Sequence, residues 1–368
     1  MNIATAPADE HVGTFTRSDL VVLGGGALLV VLAGVAHYGH WSGTIAFVTS
    51  ALAVALLASV VGRSVEQLGD RFGPSATGVL QSALGNLPEL FIALFALKAG
   101  LVGVVQAALI GSILANLLLV LGLAFLVGGL KHGPQQLGSE RARQIIVLMV
   151  LSVFAMLIPS VTAAVHTPAE GHEGALSMIT AIVLLALFML VLPASLRKDA
   201  TQKADSEPSM HTEAPRWPLW LALALLAGSA VLAAFVSDWF VVALEPAMAS
   251  FGISEAFAGL VIVAIAGNAV ENVVGIQLAA AGRSEYAFSV VINSPMQIAL
   301  VLAPLLVILS QVLGFATLTL VFPPVLIIAV IIAVVLAAFI TFDGESTWIE
   351  GAALIGLYIV IAAGFWWG

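Results

Sequence analysis

The sequence predicts an all-α integral membrane protein with about eleven transmembrane helices, and three observations support this fold class. Of the 368 residues, 61% are hydrophobic and only 9% are charged, with a mean hydropathy of +1.12. A soluble domain would have about 25% charged residues. Apolar stretches of about 20 residues, enough to cross a bilayer, recur along the chain. The period-two alternation of a transmembrane barrel is absent.

Eleven apolar stretches are predicted to be membrane helices. The first follows a polar tail, residues 1–18, which lacks the cleavage pattern of a signal peptide. Residues 196–217 form the one clear linker, because this polar, proline-bearing segment cannot bury enough apolar surface to fold alone. In chain order, the predicted helices cover 19–37, 43–63, 74–97, 101–130, 144–163, 175–195, 218–242, 253–281, 286–312, 316–341 and 347–367.

The distribution of basic residues predicts the orientation in the membrane. With a cytoplasmic N-terminus, 11 of the 12 Lys and Arg residues fall on the cytoplasmic side, and only Lys98 falls outside. Trp366 and Trp367 would then anchor the C-terminus in the opposite interface. We therefore expect a multi-pass protein of the cell membrane whose N-terminus and linker are cytoplasmic.

A repeated pattern relates the two halves of the chain at an offset of 182 residues. GNLPELFIAL (85–94) aligns with GNAVENVVGI (267–276). At the same offset, GSILANLLLVLG (111–122) falls on NSPMQIALVLAP (293–304). Chance explains two separated motifs in one register poorly, so we infer an internal duplication.

The duplication predicts two five-helix repeats, residues 43–195 and 218–368, joined by the linker 196–217. Because five is odd, the second repeat enters the membrane upside down relative to the first. Inverted repeats of this kind bring equivalent motifs together near the bilayer midplane, where substrate binds. The first helix with its loop, residues 19–42, stands outside the duplication.

Glu89 and Glu271 are the carboxylates that fall well inside the predicted helices. A charged side chain at the bilayer centre costs about 2.5–3.5 kcal/mol on insertion scales, so such residues usually serve a function. The alternative is a protonated, hydrogen-bonded packing residue. Asn86 and Asn268 each precede a glutamate by three residues, so amide and carboxylate share a helical face.

The residues around the glutamates predict local unwinding and an oxygen-rich site. Gly85 and Gly267 remove a side chain, and Pro88 deletes a backbone donor in the first repeat. Unwinding frees carbonyl oxygens, which are tolerated at this depth only where they line a polar cavity. Carboxylate, amide and carbonyl oxygens suit Ca²⁺, a hard cation with six to eight such ligands. The alternative is that Gly and Asn merely allow close helix packing.

A second polar set lies at equivalent positions of the two repeats. Ser112 and Asn116 are four residues apart in the first repeat, and Ser294 and Gln297 are three apart in the second, where Asn293 adds another amide. Each pair can face one cavity. Hydrogen bonding between helices is the alternative, since serine and amide side chains are common there.

Other site chemistries find little support in the sequence. The chain has no cysteine, which excludes disulfides, thiolate metal sites and cysteine nucleophiles. None of the seven histidines lies in the middle of a predicted helix. The net charge of −9 is spread thinly over the chain, so we expect no nucleic-acid partner and no resident cofactor.

The paired GNxxE motifs (85–89 and 267–271), GSILxN (111–116) and SxxQIAL (294–300) resemble the α-repeats of the calcium/cation antiporter superfamily. They are most similar to its cation/proton exchanger branch. This resemblance covers nearly the whole chain and implies Ca²⁺/H⁺ antiport. It implies that both glutamates bind the ion and carry protons, with the following residues also in the site: Asn86, Asn268, Ser112, Ser294 and Gln297.

Three positions depart from the usual pattern of the exchanger branch. The first motif reads GNLPE, with Pro88 before the glutamate, which is similar to the sodium/calcium branch. Asn272 stands where the exchanger branch often has histidine, and Asn293 where it often has glycine. These changes concern the ion selectivity rather than the fold.

Charge balance suggests how such a site couples two fluxes. Two ionised glutamates around one Ca²⁺ are formally neutral, and so are two protonated glutamates. The empty, doubly charged site is costly to bury, so one substrate replaces the other. The expected partners are a divalent cation, protons and the lipid bilayer, and the sequence is compatible with a homo-oligomer.

Three alternatives to Ca²⁺/H⁺ antiport remain open at this stage. Na⁺-driven exchange belongs to the same broad class, whereas a passive cation channel would neither saturate readily nor run uphill. An intramembrane enzyme could use paired carboxylates as acid and base. The mirrored ligand sets count against an enzyme, because its two carboxylates need different environments.

Overall fold

A computed structural model describes residues 14–72, 84–137, 140–165, 171–205 and 216–367. Helices dominate these ranges because an apolar segment in a bilayer must satisfy its own backbone groups. Three short π-helical stretches, π1 to π3, interrupt the α-helices. The elements are α1 (Arg17–Tyr38), α2 (Gly43–Phe72), α3 (Leu87–Lys98), α4 (Val102–Leu114), π1 (Ala115–Val120), α5 (Leu121–His132), α6 (Glu140–Ala164), α7 (Glu173–Asp205), α8 (Leu219–Phe251), α9 (Glu255–Phe257), π2 (Ala258–Val263), α10 (Ala264–Gly267), α11 (Ala269–Ala280), α12 (Ser284–Gln297), π3 (Ile298–Leu302), α13 (Ala303–Val312), α14 (Pro324–Asp343) and α15 (Trp348–Gly364).

The predicted fold class is confirmed, and helix occupies each of the eleven predicted stretches where the structure describes it. Within the described ranges, seven helical spans are long and apolar enough to cross a bilayer. An eighth is the bent pair Glu255–Gly267 and Asn272–Ala280. Helices α3, α14 and α15 occupy the remaining three stretches. Part of the stretch predicted at 74–97 lies outside the described residues.

Two helices run further than predicted. α7 continues to Asp205, ten residues into the predicted linker, because residues 196–205 are rich in Lys, Arg, Ala and Gln, which favour helix in water. The rest of the linker up to residue 215 lies outside the described residues. α8 continues to Phe251 and ends at Gly252, whose φ of +63° forms a left-handed cap.

One set of contacts joins helix ends on the side of the linker, here called the linker side. Arg71 Nη2 donates to the carbonyl of Trp217 at 2.6 Å, which joins α2 to α8. Strands β1 (Gln135–Gln136) and β2 (Glu345–Ser346) pair antiparallel here and join the loops after α5 and α14. The sequence predicts no strand, so this two-residue pair is a correction that leaves the all-α class intact.

A second set of contacts joins the opposite helix ends, here called the Lys98 side. Ala316 N donates to the carbonyl of Leu97 at 3.2 Å. Ser254 Oγ donates to the carbonyl of Phe365 at 2.5 Å. Each contact joins ends that regular alternation of eleven membrane crossings places on one side. The described helices therefore alternate in direction as the sequence predicts.

An extended segment, residues 314–323, lies along the Lys98 side and is called the strap. Leu318, Leu320 and Phe322 are buried beneath it. The sequence predicts a helix from 316, but α14 begins only at Pro324. Consecutive prolines at 323 and 324 explain the difference, because a residue before proline favours extended backbone and proline is suited to the first helical turn.

Side chains from several helices satisfy the backbone of the strap. Gln106 Nε2 on α4 donates to the carbonyls of Thr319 at 3.1 Å and Val321 at 2.9 Å. Ser160 Oγ on α6 donates to the carbonyl of Leu320 at 2.6 Å. A buried backbone polar group needs such a partner, so the strap ties these helices together at their Lys98 ends.

Candidate functional site

Each glutamate-bearing helix starts at the asparagine three residues before the glutamate. Asn86 has φ −91° and ψ 17°, and Asn268 has φ −90° and ψ 20°. These values lie outside the α-helical well. In the second repeat the two pieces, Glu255–Gly267 and Asn272–Ala280, are bent by 61°. The break predicted at the two GN motifs is therefore present, with the same backbone geometry in both repeats.

Both glutamates are the third residue of the helix that follows the break. Glu89 lies in the first turn of α3, and Glu271 lies in the first turn of α11. The N-terminus of a helix carries partial positive charge, which stabilises a carboxylate in its first turn. The side chain of Glu271 lies outside the described part of the structure, so the side-chain geometry below concerns Glu89.

Pro88 is not required for the break, contrary to the expectation from the sequence. It stands at the second position of α3, where the missing N–H removes no helical hydrogen bond. The second repeat adopts the same dihedral angles with Val270 at that position. What the two breaks share is the Gly-Asn pair, at Gly85 and Gly267.

Two of the π-helical stretches occupy corresponding positions in the two repeats. At the offset of 182 residues, π1 (Ala115–Val120) corresponds to residues 297–302, and π3 covers Ile298–Leu302. Ser112 and Ser294 lie within one turn before them. Such insertions in helices are frequent at functional sites, and their recurrence here relates the two repeats in backbone conformation as well as in sequence.

Small residues allow α4 to cross the bent helix in backbone contact. A Cβ atom on Gly259 would lie 2.9 Å from Ala108 N, and one on Gly111 would overlap the backbone of Leu260. Close crossing at small residues is typical of membrane helices. The crossing brings Ser112, which follows Gly111, next to the asparagine of the second repeat.

Four buried polar side chains form a network between the repeats. Asn268 Nδ2 donates to Ser112 Oγ at 2.8 Å, and Asn268 Oδ1 accepts from Asn116 Nδ2 at 3.0 Å. Ser294 Oγ donates to Asn268 Oδ1 at 3.1 Å. All four residues are at most 4% exposed. The second asparagine motif is therefore bonded to both serine motifs.

Glu89 reaches from the first repeat onto the glycine of the second. A Cβ atom on Gly267 would stand 3.0 Å from Glu89 Cδ and 3.1 Å from Glu89 Oε1. Glu89 is 6% exposed. Gly267 thus leaves the space that the carboxylate occupies, immediately beside Asn268.

The equivalent asparagine of the first repeat has different contacts. Asn86 Nδ2 donates to Gln297 Oε1 at 3.4 Å, a long hydrogen bond. Exact symmetry would bond Asn86 to Ser294, but Ser294 donates to Asn268 instead. The repeats match in backbone geometry while their amides are engaged differently.

Several amide oxygens near these motifs are available to a ligand. Asn86 Oδ1, Asn116 Oδ1 and Asn272 Oδ1 are buried and accept no hydrogen bond from a described residue. Leaving a buried acceptor unsatisfied costs about 1–3 kcal/mol. Neutral amide oxygens are ligands that hard cations accept, so these atoms add to the donor set.

A small cavity of about 20 Å³ lies beside Glu89 and Ser112. This volume is enough for one water molecule. Its other lining residues are apolar and lie between the glutamate and the Lys98 side on α3 and α4, or on π2 and π3. They are Ala93, Val105, Ala108, Leu109, Val263 and Leu302.

The structure brings most of the predicted site residues together. Glu89 with Gly267, and Asn268 with both serines, lie in the contacts described above, and Asn86 meets Gln297. Asn116 is more central than its sequence position indicates, although its spacing of four residues from Ser112 was a signal. The buried oxygen of Asn272 has no such signal in the sequence. The ion-binding roles of these residues stay predictions.

Comparison with known proteins places the fold and the sequence in one group. The family described as Sodium/calcium exchanger protein matches residues 42–196 and 221–367. The Ca(2+)/H(+) antiporter of Aphanothece halophytica is 35% identical over 356 residues, which cover 92% of this chain and 94% of that protein. The Ca(2+)/H(+) antiporter ChaA of Bacillus subtilis (strain 168) is 36% identical over 331 residues, covering 89% and 93%.

Solved structures agree with this grouping. The structure of native YfkE is 33% identical, with a TM-score of 0.80 over 94% of this chain and 99% of that chain. The H+/Ca2+ exchanger CAX is only 17% identical but has a TM-score of 0.73, covering 95% and 92%. The second likeness shows the fold alone.

Proposed function

This chain belongs to the sodium/calcium exchanger protein family, and on that basis we propose that it is a secondary active antiporter exchanging Ca²⁺ for H⁺. Its apolar helices make it a membrane protein. Relatives 35% and 36% identical over most of the chain are named Ca²⁺/H⁺ antiporters. These names favour H⁺ over Na⁺ as the coupling ion.

The observation that carries the proposal is the interlocking of the two repeats at their helix breaks. Glu89 lies against Gly267, and Asn268 is bonded to Ser112. Carboxylate, amide and hydroxyl oxygens of both repeats therefore lie in one buried layer, a donor set suited to Ca²⁺. Glu89 and Glu271 are the charged ligands in this proposal, and the neutral ligands come from Asn86, Asn268, Ser112, Ser294 and Gln297.

The two glutamates alternate between binding the metal and carrying protons. With one Ca²⁺ the pair is formally neutral, and with two protons it is neutral again. An empty pair of ionised carboxylates is costly to bury in the membrane. The protein therefore changes its accessible side only when loaded, which links movement of Ca²⁺ in one direction to movement of H⁺ in the other.

Inverted repeats offer a direct route to alternating access. Two repeats that can adopt each other's conformation produce states open to opposite sides. The asymmetry between Asn268, which is bonded to both serine motifs, and Asn86, which contacts Gln297, is the kind of difference that such an exchange reverses. Substrate binding then stays at the midplane while the surrounding helices move.

A gradient-swap flux experiment tests the function. Purified protein in sealed vesicles is loaded with radioactive Ca²⁺, and either a pH gradient or a Na⁺ gradient is imposed. We expect Ca²⁺ to move uphill under the pH gradient, to stop when a protonophore collapses it, and to saturate. Flux that follows only the Na⁺ gradient would assign Na⁺ coupling, and downhill flux without saturation would assign a channel.

The same proposal covers the setting of the protein. We place it in the cell membrane with a cytoplasmic N-terminus, because that orientation puts 11 of 12 Lys and Arg residues on the cytoplasmic side. The paired glutamates act as ion ligands rather than as the acid and base of an enzyme. A plasma-membrane proton gradient would then favour export of Ca²⁺.

A further inference from the structure

An arginine cluster on the linker side lies where α1, α2 and α8 meet. Arg63 Nη1 donates to Asp19 Oδ1 at 2.5 Å, and Arg216 Nη1 lies 3.8 Å from Asp19 Oδ2. Arg71 donates to the backbone carbonyl of Trp217. These contacts hold three guanidinium groups around a single buried carboxylate, and we call the group the inner clasp.

Positive charge exceeds negative charge at the inner clasp. Arg17 is exposed and starts α1, two residues before Asp19, and the carboxylate of Glu66 is also exposed on α2. Four arginines therefore face two carboxylates among the described residues of this region. Arg63 and Arg216 keep 29% and 26% of their side chains exposed. Each guanidinium has five N–H donors, most of which stay available to an external acceptor.

Lipid-facing surface begins directly beside the clasp on two of its helices. Leu20 and Val21 on α1 are 59% and 72% exposed, and Trp220 on α8 is 69% exposed. Tryptophan at this level is typical of the membrane interface. A ligand with a phosphate at its head and acyl chains below it would contact the arginines and these apolar side chains together.

We propose that the inner clasp binds the headgroup of an anionic phospholipid, with the acyl chains along α1 and α8. The excess positive charge attracts the phosphate, and guanidinium groups are suited to bidentate phosphate contacts. Basic pockets between membrane helices on the cytoplasmic side recognise anionic lipid headgroups by the same means. The proposal is independent of the transport activity.

Quenching of tryptophan fluorescence by brominated lipids tests the proposal. The protein is reconstituted in phosphatidylcholine vesicles that contain a small, equal fraction of dibrominated phosphatidylglycerol or dibrominated phosphatidylcholine. We expect the anionic lipid to quench more strongly, and the excess to shrink in Trp220→Phe. Equal quenching by the two lipids in the wild-type protein would contradict the proposal.

Charge variants identify the headgroup site. Arg17→Gln with Arg216→Gln should weaken the preference for the anionic lipid about fivefold per arginine, whereas Arg143→Gln with Arg283→Gln should retain it. Loss of the preference in this control pair would overturn the assignment. If the double clasp variant does not fold, the exposed Arg17→Gln alone carries the test. Removal of the excess by millimolar inorganic phosphate would mean that free phosphate, not a lipid, occupies the site.

Discussion

At the scale of single residues, the candidate site depends on the absence of one side chain. Glu89 occupies the space beside Gly267 that a Cβ atom would fill. The next residue, Asn268, contacts both serine motifs through its amide. A single dipeptide of the second repeat therefore fixes where the carboxylate of the first repeat stands.

Replacing this glycine should move the carboxylate. In Gly267→Ala the new methyl group overlaps Glu89, and overpacking of this kind costs about 1–3 kcal/mol. If the strain falls on the bound state, apparent Ca²⁺ affinity drops roughly 5- to 150-fold. Initial rates of Ca²⁺ uptake into vesicles, measured against Ca²⁺ concentration, give the change.

The matched control for this substitution is another helical glycine. Gly228 on α8 is exposed, and a Cβ atom there meets nothing within 4 Å. Gly228→Ala should leave the uptake curve unchanged. Equal losses in the two alanine variants would mean that the contact with Glu89 does not explain the effect.

The sequence could predict the members of the site but not how they are engaged. Spacing of three residues placed Asn86 and Asn268 beside the glutamates, and duplication paired Ser112 with Ser294. Symmetric motifs cannot reveal which asparagine is bonded to both serines in a given conformation. The buried oxygen of Asn272 was equally hidden, because it depends on neighbours that are distant in sequence.

At the scale of elements, the Gly-Asn break is a property of both repeats. Asn86 and Asn268 share their dihedral angles although only the first repeat has a proline two residues later. Break positions could be read from the sequence because glycine and asparagine both disfavour a continuous helix. The π-helical stretches could not, because no residue type marks them.

Removing the proline should therefore leave the break and the transport activity in place. Pro88→Ala restores an N–H at a position that needs no helical partner. We expect a stability loss of about 0.4–1 kcal/mol through the unfolded chain, with Ca²⁺ uptake close to that of the wild-type protein. Thermal unfolding and vesicle uptake measure the two quantities. Inactivation by this substitution would show that the first repeat needs proline for its geometry.

The strap is an element that hydropathy alone misplaces. Its residues are apolar enough to be predicted as the start of a helix, but Pro323 and Pro324 and the side-chain partners on neighbouring helices keep it extended. Those partners come from positions far apart in the sequence. Hydrophobicity therefore predicted the burial of residues 316–323 and not their conformation.

The strap should loosen when its α4 partner is removed. Gln106→Leu deletes both donors to Thr319 and Val321, at a cost of about 1–3 kcal/mol for the unsatisfied carbonyls. Amide hydrogen exchange of residues 318–322 should then accelerate. Gln277→Leu changes an exposed glutamine on α11 and should not affect this segment. Unchanged exchange in Gln106→Leu would mean that the other contacts hold the strap without it.

At the scale of the whole molecule, the alternation of helix direction was largely predictable. Long apolar stretches fixed the number of crossings, and loop contacts in the structure join only ends expected on a common side. Exact helix ends were less predictable, as α7 and α8 show, because charged and apolar residues alike can extend a helix. The two-residue pairing of β1 with β2 depends on loops that meet only after folding.

Cysteine labelling can check the sidedness, because the chain has no native cysteine. Ala99 on the Lys98 side and Ala281 on the linker side are both exposed. A membrane-impermeant maleimide should label Ala99→Cys only from outside the cell and Ala281→Cys only from the cytoplasmic side. Labelling of both from one side would contradict the topology.

The central claim is that one intramembrane site, shared by two inverted repeats, carries Ca²⁺ and H⁺ in turn. Either glutamate alone would leave the loaded site charged and the exchange uncoupled. Glu285 on α12 provides a matched control, since it is an exposed glutamate in the first turn of a helix. Folding of each variant can be verified by gel filtration before any transport is measured.

The most direct test is Ca²⁺ uptake driven by a pH gradient in vesicles that contain Glu89→Gln, Glu271→Gln or Glu285→Gln. We predict that either of the first two substitutions abolishes uptake while the protein remains folded, and that Glu285→Gln transports like the wild-type protein. Full pH-driven uptake in Glu89→Gln or Glu271→Gln would contradict the shared site.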